Sequence, residues 1–240
     1  MSELPPPRLR IDSYGRRFGF RTVLKSASAW ARPGRITLLM GRNGCGKTTL
    51  LRCGLGLMQS DFGTLLFEDD RISGGLPSLA MRGVFYLPDR RLLSTRLTVR
   101  QHLQVLRERF DDRVNAHAGE LMDVEMLMDS RPEELSGGER RRAEIWLAST
   151  HSPMCLIADE PLLGIAPKDR GLVAATLRRL AESGTALLVT GHEVEDLFEL
   201  ADEVIWMVAG TTHGLGTPSE ASHHAQFRIE YLGTRAMETS

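Results

Sequence analysis

The sequence predicts an α/β protein with a mainly parallel sheet, an antiparallel β subdomain and a helical subdomain inserted in the core. Three observations predict it. Compact apolar runs of strand length alternate with helical stretches through the last third of the chain. A separate stretch, Gly63 to Ile72, is bounded by glycine-rich turn residues and carries its own apolar run. From Thr98 to about Met128 the spacing of apolar residues changes to a helical period.

Taken in chain order, Arg35-Ile36-Thr37-Leu38-Leu39-Met40 suits a strand buried on both faces, with a helix from roughly Lys47 to Met58 behind it. Gly63 to Ile72, with Leu65, Leu66 and Phe67, reads as one antiparallel strand closed by a turn at Ser73-Gly74-Gly75. Val99, Leu103, Leu106 and Phe110 share one helical face, and Leu121, Val124 and Met128 another. These place the helical subdomain at about 88–134, within a single domain that runs over 1–240. Met122, Met126 and Met128 read as core filler. Further on come a strand at Cys155–Ala158, a helix at Gly171–Glu182, and strands at Thr185–Thr190 and Val204–Val208. Such βαβ alternation gathers ligands outside the carboxyl ends of the strands.

A chain of 240 residues buries a substantial core, and 42% hydrophobic with 25% charged residues is ordinary globular composition. The net charge of −1 favours neither a nucleic-acid partner nor an anionic surface. The run Arg140-Arg141-Arg142 reads as a solvated helix face. No segment approaches the roughly 18 apolar residues needed to span a bilayer. Met1 to Arg10 carries Pro5-Pro6-Pro7 and no secretory stretch, so a cytoplasmic location is expected. Cys45, Cys53 and Cys155 lack metal-ligand spacing and read as reduced thiols.

The chemistry sits in three strings. Gly41-Arg42-Asn43-Gly44-Cys45-Gly46-Lys47-Thr48, followed by Thr49, fits the phosphate-binding loop and follows a predicted strand, the context that pattern requires. It defines a P-loop NTPase core. Glycines let backbone N–H groups close round phosphates, and the following helix points its positive end at the same anion. Lys47 would reach the β- and γ-phosphates, and the Thr48 hydroxyl would ligate Mg²⁺. Cys155-Leu156-Ile157-Ala158-Asp159-Glu160 sets two carboxylates at the end of an apolar strand, a costly place unless a cation or substrate uses them. Asp159 suits Mg²⁺, and Glu160 can polarise a water for in-line attack on the γ-phosphate. Third, Leu135-Ser136-Gly137-Gly138-Glu139 begins a helix with a capping box, Ser136 to Glu139. A cap does not need two glycines. They make sense where an anion approaches the backbone closely.

Leu-Ser-Gly-Gly-Glu resembles the signature of ABC-family ATPases, and its order between phosphate loop and Asp-Glu strand matches that family. The resemblance covers about Leu9 to Gly233. It implies that His192 is the switch histidine at the γ-phosphate and that Phe18, or alternatively Tyr14, stacks on adenine. It further implies two copies paired head-to-tail, homomeric or heteromeric, with Ser136, Gly137, Gly138 and Glu139 capping ATP on the other subunit. A transmembrane transporter subunit would then be the partner, with this chain peripheral on the cytoplasmic face. Ser136 to Arg142 and the ending Glu230-Tyr231-Leu232-Gly233 look closest to the ATPases of lipopolysaccharide export and branched-chain amino-acid import.

Two positions depart from the family. Asp89, in Tyr86-Leu87-Pro88-Asp89, stands where relatives carry a glutamine that senses Mg²⁺ and links to the membrane domain. It keeps an oxygen ligand but adds charge beside Asp159 and Glu160. Ala166 stands where relatives place an aspartate that helps the subunits communicate. A soluble non-transport ABC ATPase and a weakly or non-hydrolysing regulatory subunit remain as alternatives, the latter motivated by Asp89 and Ala166.

Overall fold

The structure is a computed structural model that describes residues 4–110, 123–191 and 197–232. Among the described residues ten strands form one sheet: β1 (Leu9–Phe18), β2 (Arg21–Ala31), β3 (Ile36–Met40), β4 (Phe62–Phe67), β5 (Asp70–Arg71), β6 (Val84–Leu87), β7 (Cys155–Ala158), β8 (Ala186–Gly191), β9 (Glu203–Val208) and β10 (Thr211–Gly216). Their spatial order is β5-β4-β1-β2-β10-β9-β3-β8-β7-β6. The run β9-β3-β8-β7-β6 is parallel throughout. The β2-β1-β4-β5 end is antiparallel and joins the rest through one parallel bridge, Ser26 with Thr211.

Period-two alternation sends each central strand's side chains into two cores. Ile36, Leu38, Leu156, Leu187, Val189 and Val204 enter one; Leu39, Ile157, Leu188 and Ile205 enter the other. The first is covered by α3 (Val99–Phe110), α4 (Gly137–Thr150) and α5 (Pro167–Glu182), through Leu103, Trp146 and Leu177 among others. The second holds α1 (Lys47–Gly54), whose Leu50 and Leu51 meet Leu9, Ile11 and Phe67 from the antiparallel end. With both faces covered, the central strands read as unbroken apolar runs.

Several elements differ from the sequence expectation. The stretch Gly63–Ile72 is a hairpin, because Glu68 (φ 51°) and Asp69 (φ 65°) form a left-handed two-residue turn between β4 and β5. Ser73-Gly74-Gly75 leads into a helix, α2 (Gly75–Met81). The helix after the phosphate loop stops at Gly54, four residues before Met58, and α5 begins at Pro167, a residue suited to the first helical position. Val99 and Leu103 are buried and Leu106 packs on the same core, as the periodicity predicts. Val124 and Leu127 join that core beside Met128, whereas Met126 is 87% exposed and fills nothing. Leu121 and Met122 lie outside the described residues. β1, β2, β6, β10 and the short helices Pro218–His223 and Ala225–Phe227 had no clear sequence signal. Among the described residues, no helix is long and apolar enough to cross a membrane.

Candidate functional site: a phosphate-loop cleft

The carboxyl ends of β3, β6, β7 and β8 open on one edge, and each delivers part of the site. β3 runs into the phosphate loop, where Gly44 (φ 80°) and Gly46 (φ 114°) take backbone conformations that side-chain-bearing residues rarely adopt. Gly46 caps α1 without a side chain, so the first N–H groups of α1 stay bare toward the loop. Arg42, Asn43 and Gly44 are exposed; Thr48 and Thr49 are half-buried. The Lys47 ammonium is buried, donates to the Gly41 carbonyl at 2.7 Å, and stands 3.6 Å from Glu160 Oε1. Cys45 sits against the loop's inner side, where burial raises its thiol pKa and Lys47 opposes the rise.

β7 delivers Asp159, fully buried, and Glu160, half-buried. Glu160 is left-handed (φ 50°), a conformation that costs a non-glycine residue about 1–2 kcal/mol. Thr190, at the end of β8, holds both acids: its hydroxyl donates to Asp159 Oδ1 at 2.5 Å and accepts from the Glu160 amide at 2.9 Å. Burial raises the Asp159 carboxyl above its ordinary pKa, opposed by the Thr190 and Thr48 hydroxyls and reinforced by Asp89 and Glu160. Asp159 Oδ2 is buried with no hydrogen-bond partner among the described residues. An orphaned buried carboxylate oxygen near the Thr48 hydroxyl is a donor set that fits a hard cation such as Mg²⁺. No cluster of three or more His, Cys, Asp or Glu side chains that could cage a metal occurs among the described residues. A cation here would complete its shell with water and phosphate oxygens.

The resulting cleft, about 490 Å³, is lined by Asn43, Gly44, Gly46, Lys47, Thr48, Thr49, Asp89 and Glu160. Asp89 follows β6 and is half-buried there. Arg21, Val23 and Arg90 also line the cleft, and the sequence reading named none of them. Phe18 lies outside this lining, at the β1–β2 turn, 43% exposed with the Arg16 guanidinium 4.6 Å from its ring centre. Tyr14 is buried, and its ring covers Gly63, so it cannot serve as the stacking aromatic. His192 lies outside the described residues.

The signature string begins α4 with the expected capping box. Ser136 Oγ accepts from the Glu139 amide at 3.3 Å, and Glu139 Oε2 accepts from the Ser136 amide at 2.9 Å. A Cβ at Gly137 would meet no atom within 4 Å among the described residues, and its φ is not left-handed. Nothing in the described fold demands glycine there. Arg141 corrects the expectation of a solvated arginine run. It is 4% exposed, and Arg140 and Arg142 are half-buried.

A loop of backbone donors, a buried lysine and two strand-end carboxylates, on a parallel run of strands covered on both faces, define a P-loop nucleotide-binding α/β protein. The family described as ABC transporter matches residues 24–163, more than half of the chain. The lipopolysaccharide export system ATP-binding protein LptB of Escherichia coli (strain K12) is 33% identical over 221 residues, covering 89% of this chain and 92% of that one. LptB of Haemophilus influenzae is 30% identical over 234 residues, covering 94% and 97%. The Nod factor export ATP-binding protein I of Ralstonia nicotianae is 33% identical over 224 residues, covering 91% and 70%. In fold, an ATP-binding cassette of an ABC transporter in its ADP conformation superposes with TM-score 0.79 at 23% identity, covering 95% of this chain and 99% of that one. The chain belongs to the ABC transporter family and is an ATP-binding member of it.

Proposed function

We infer that the protein is a Mg²⁺-dependent ATPase whose hydrolysis of ATP to ADP and phosphate powers transport through a separate membrane subunit. The observation that carries this reading is the meeting of Lys47, Thr48 and Glu160 in one cleft, with Asp159 buried behind them. The phosphate loop and Lys47 bind the triphosphate. Thr48 and Asp159 would hold Mg²⁺, which would supply neutralisation of the charge on the phosphates. Glu160 takes the proton of the attacking water, oriented by the Thr190 contact at its amide. In this reading Asp89 tunes the metal, and His192 takes the γ-phosphate contact that the family resemblance implies.

The active unit in this reading is a head-to-tail pair in which Ser136, Gly137, Gly138 and Glu139 cap the partner copy's ATP. The open space at Gly137 supports it, since it leaves the backbone at the start of α4 free to be approached closely by an anion. The helical subdomain, about 88–134 of a single domain over 1–240, would dock the membrane subunit. An apolar groove of about 190 Å³ lined by Phe85, Leu92, Leu97, Val105 and Leu106 supports that placement beside the Asp89 loop. The chain would thus work peripherally on the cytoplasmic face. Nucleotide binding and phosphate release by the purified chain, with Lys47→Ala as control, test the reading. Affinity for MgATP that Lys47→Ala leaves unchanged would overturn it.

A further inference from the structure

Arg141 lies one turn into α4, three residues beyond Gly138, and its guanidinium is buried. A charge in that position must be fully partnered. Nε donates to the Pro161 carbonyl at 3.2 Å. Nη1 donates to the Pro88 carbonyl at 2.7 Å and to Glu144 Oε2 at 3.1 Å. Nη2 donates to the carbonyls of Asp159 at 2.8 Å and Glu160 at 3.0 Å. Five acceptors therefore meet the five N–H donors a guanidinium possesses. The second oxygen of Glu144 accepts from the Leu92 amide at 3.3 Å. One side chain of the signature helix thus grips the loop after β6 and the turn after β7.

Glu160 is where this grip matters. Its left-handed backbone (φ 50°) persists only if the surroundings over-determine it. The peptide before Glu160 is held at its carbonyl by Arg141 and at its N–H by Thr190; the peptide after it is held at its carbonyl by Arg141. Both planes that set the residue's φ and ψ are anchored.

We propose that Arg141 is a positioning residue: it fixes the backbone of Glu160 and so ties the signature helix to the carboxylate that activates water. This rests on the ATPase reading above. In a head-to-tail pair, contact of a partner's ATP with Ser136–Glu139 would reach this chain's own Glu160 through one helical turn and one guanidinium. That route does not use the position occupied by Ala166. Arginine is required because a lysine ammonium is a point charge that cannot span acceptors on residues 88, 159, 160 and 161.

The test uses the full chain with Arg141→Lys and Glu144→Gln. In Arg141→Lys, MgATP affinity should stay within about threefold and melting should stay cooperative, while kcat falls by on the order of 100-fold. Glu144→Gln, which leaves the four carbonyl contacts, should lose less. Adding Arg141→Lys to Glu160→Gln should cost nothing further, because both act through one group. Amide exchange at Glu160 should accelerate in Arg141→Lys with phosphate-loop amides unchanged. Parental kcat, additive losses in the double variant, or loss of affinity and melting in step with turnover would each overturn the proposal. A parent chain with no turnover would sink the ATPase reading instead, and Glu160 amide exchange would still decide for or against the clamp.

Discussion

The Thr190 hydroxyl donates to Asp159 Oδ1 at 2.5 Å while its oxygen accepts the Glu160 amide. One buried hydroxyl from β8 thereby sets both acids that β7 presents. Thr190→Val would leave a buried carboxylate oxygen and a backbone N–H without their partner, at a cost of about 1–3 kcal/mol. Urea denaturation should show that loss, and turnover should fall by more than ATP affinity does.

Lys47 and Glu160 share a buried contact, 3.6 Å between charged atoms. In the proposed cycle Lys47 exchanges that carboxylate for phosphate oxygens. Glu160→Gln removes the competitor and the base together. ATP should bind at least as tightly, and phosphate release should drop about 100-fold or more. Nucleotide titration and single-turnover phosphate release measure the two effects separately.

The Asp159 carboxyl has a folded pKa above its unfolded value of about 3.9, chiefly because it is buried. Its ionised form therefore costs stability at neutral pH, and that cost is relieved as pH falls through the folded pKa. Asp159→Asn should raise stability at pH 7 and flatten this part of the pH profile, while Mg²⁺-dependent turnover is lost. Denaturation across pH 4–8 checks the sign; a destabilised variant would contradict it.

Gly137 separates folding from function. Alanine there meets no described atom and would remove a flexible residue from the start of α4. The folded chain should be stabilised by up to about 1 kcal/mol. ATP-dependent pairing, followed by light scattering in a Glu160→Gln background, should weaken.

Ala166 is the N-cap of α5, with extended backbone (φ −63°, ψ 144°), no side-chain cap, and Pro167 behind it. Ala166→Asp supplies the side-chain oxygen that this cap lacks and a charge that suits the helix dipole. It should stabilise the chain by about 1 kcal/mol in denaturant melts.

Much of the site was legible because its chemistry is local. The phosphate loop, the Asp159-Glu160 strand end and the Ser136–Glu139 box are each contiguous strings. Backbone geometry and capping act over three to eight residues, so such strings carry their meaning without the rest of the chain. The central strands were equally plain, because a strand covered on both faces must be apolar at every position. The hairpin at Glu68–Asp69 was missed because the pair lacks the glycine that usually marks a two-residue turn; Asp69 tolerates the left-handed region, but Glu68 before it gives no such signal. Thr190 stood at the end of a recognised strand, and that position next to Asp159 was its one available signal.

Arg141 shows what the sequence could not decide. Three adjacent arginines look alike as text, and a helix of 3.6 residues per turn points each in a different direction. Only the packing of α4 against the ends of β6 and β7 buries the middle one among carbonyls from residues distant in the chain. The sequence determined the fold class, the phosphate cradle and the signature helix through short-range rules. Tertiary structure alone decided which side chains hold that machinery in place, because hydrogen bonds between distant loops depend on strand order and not on spacing.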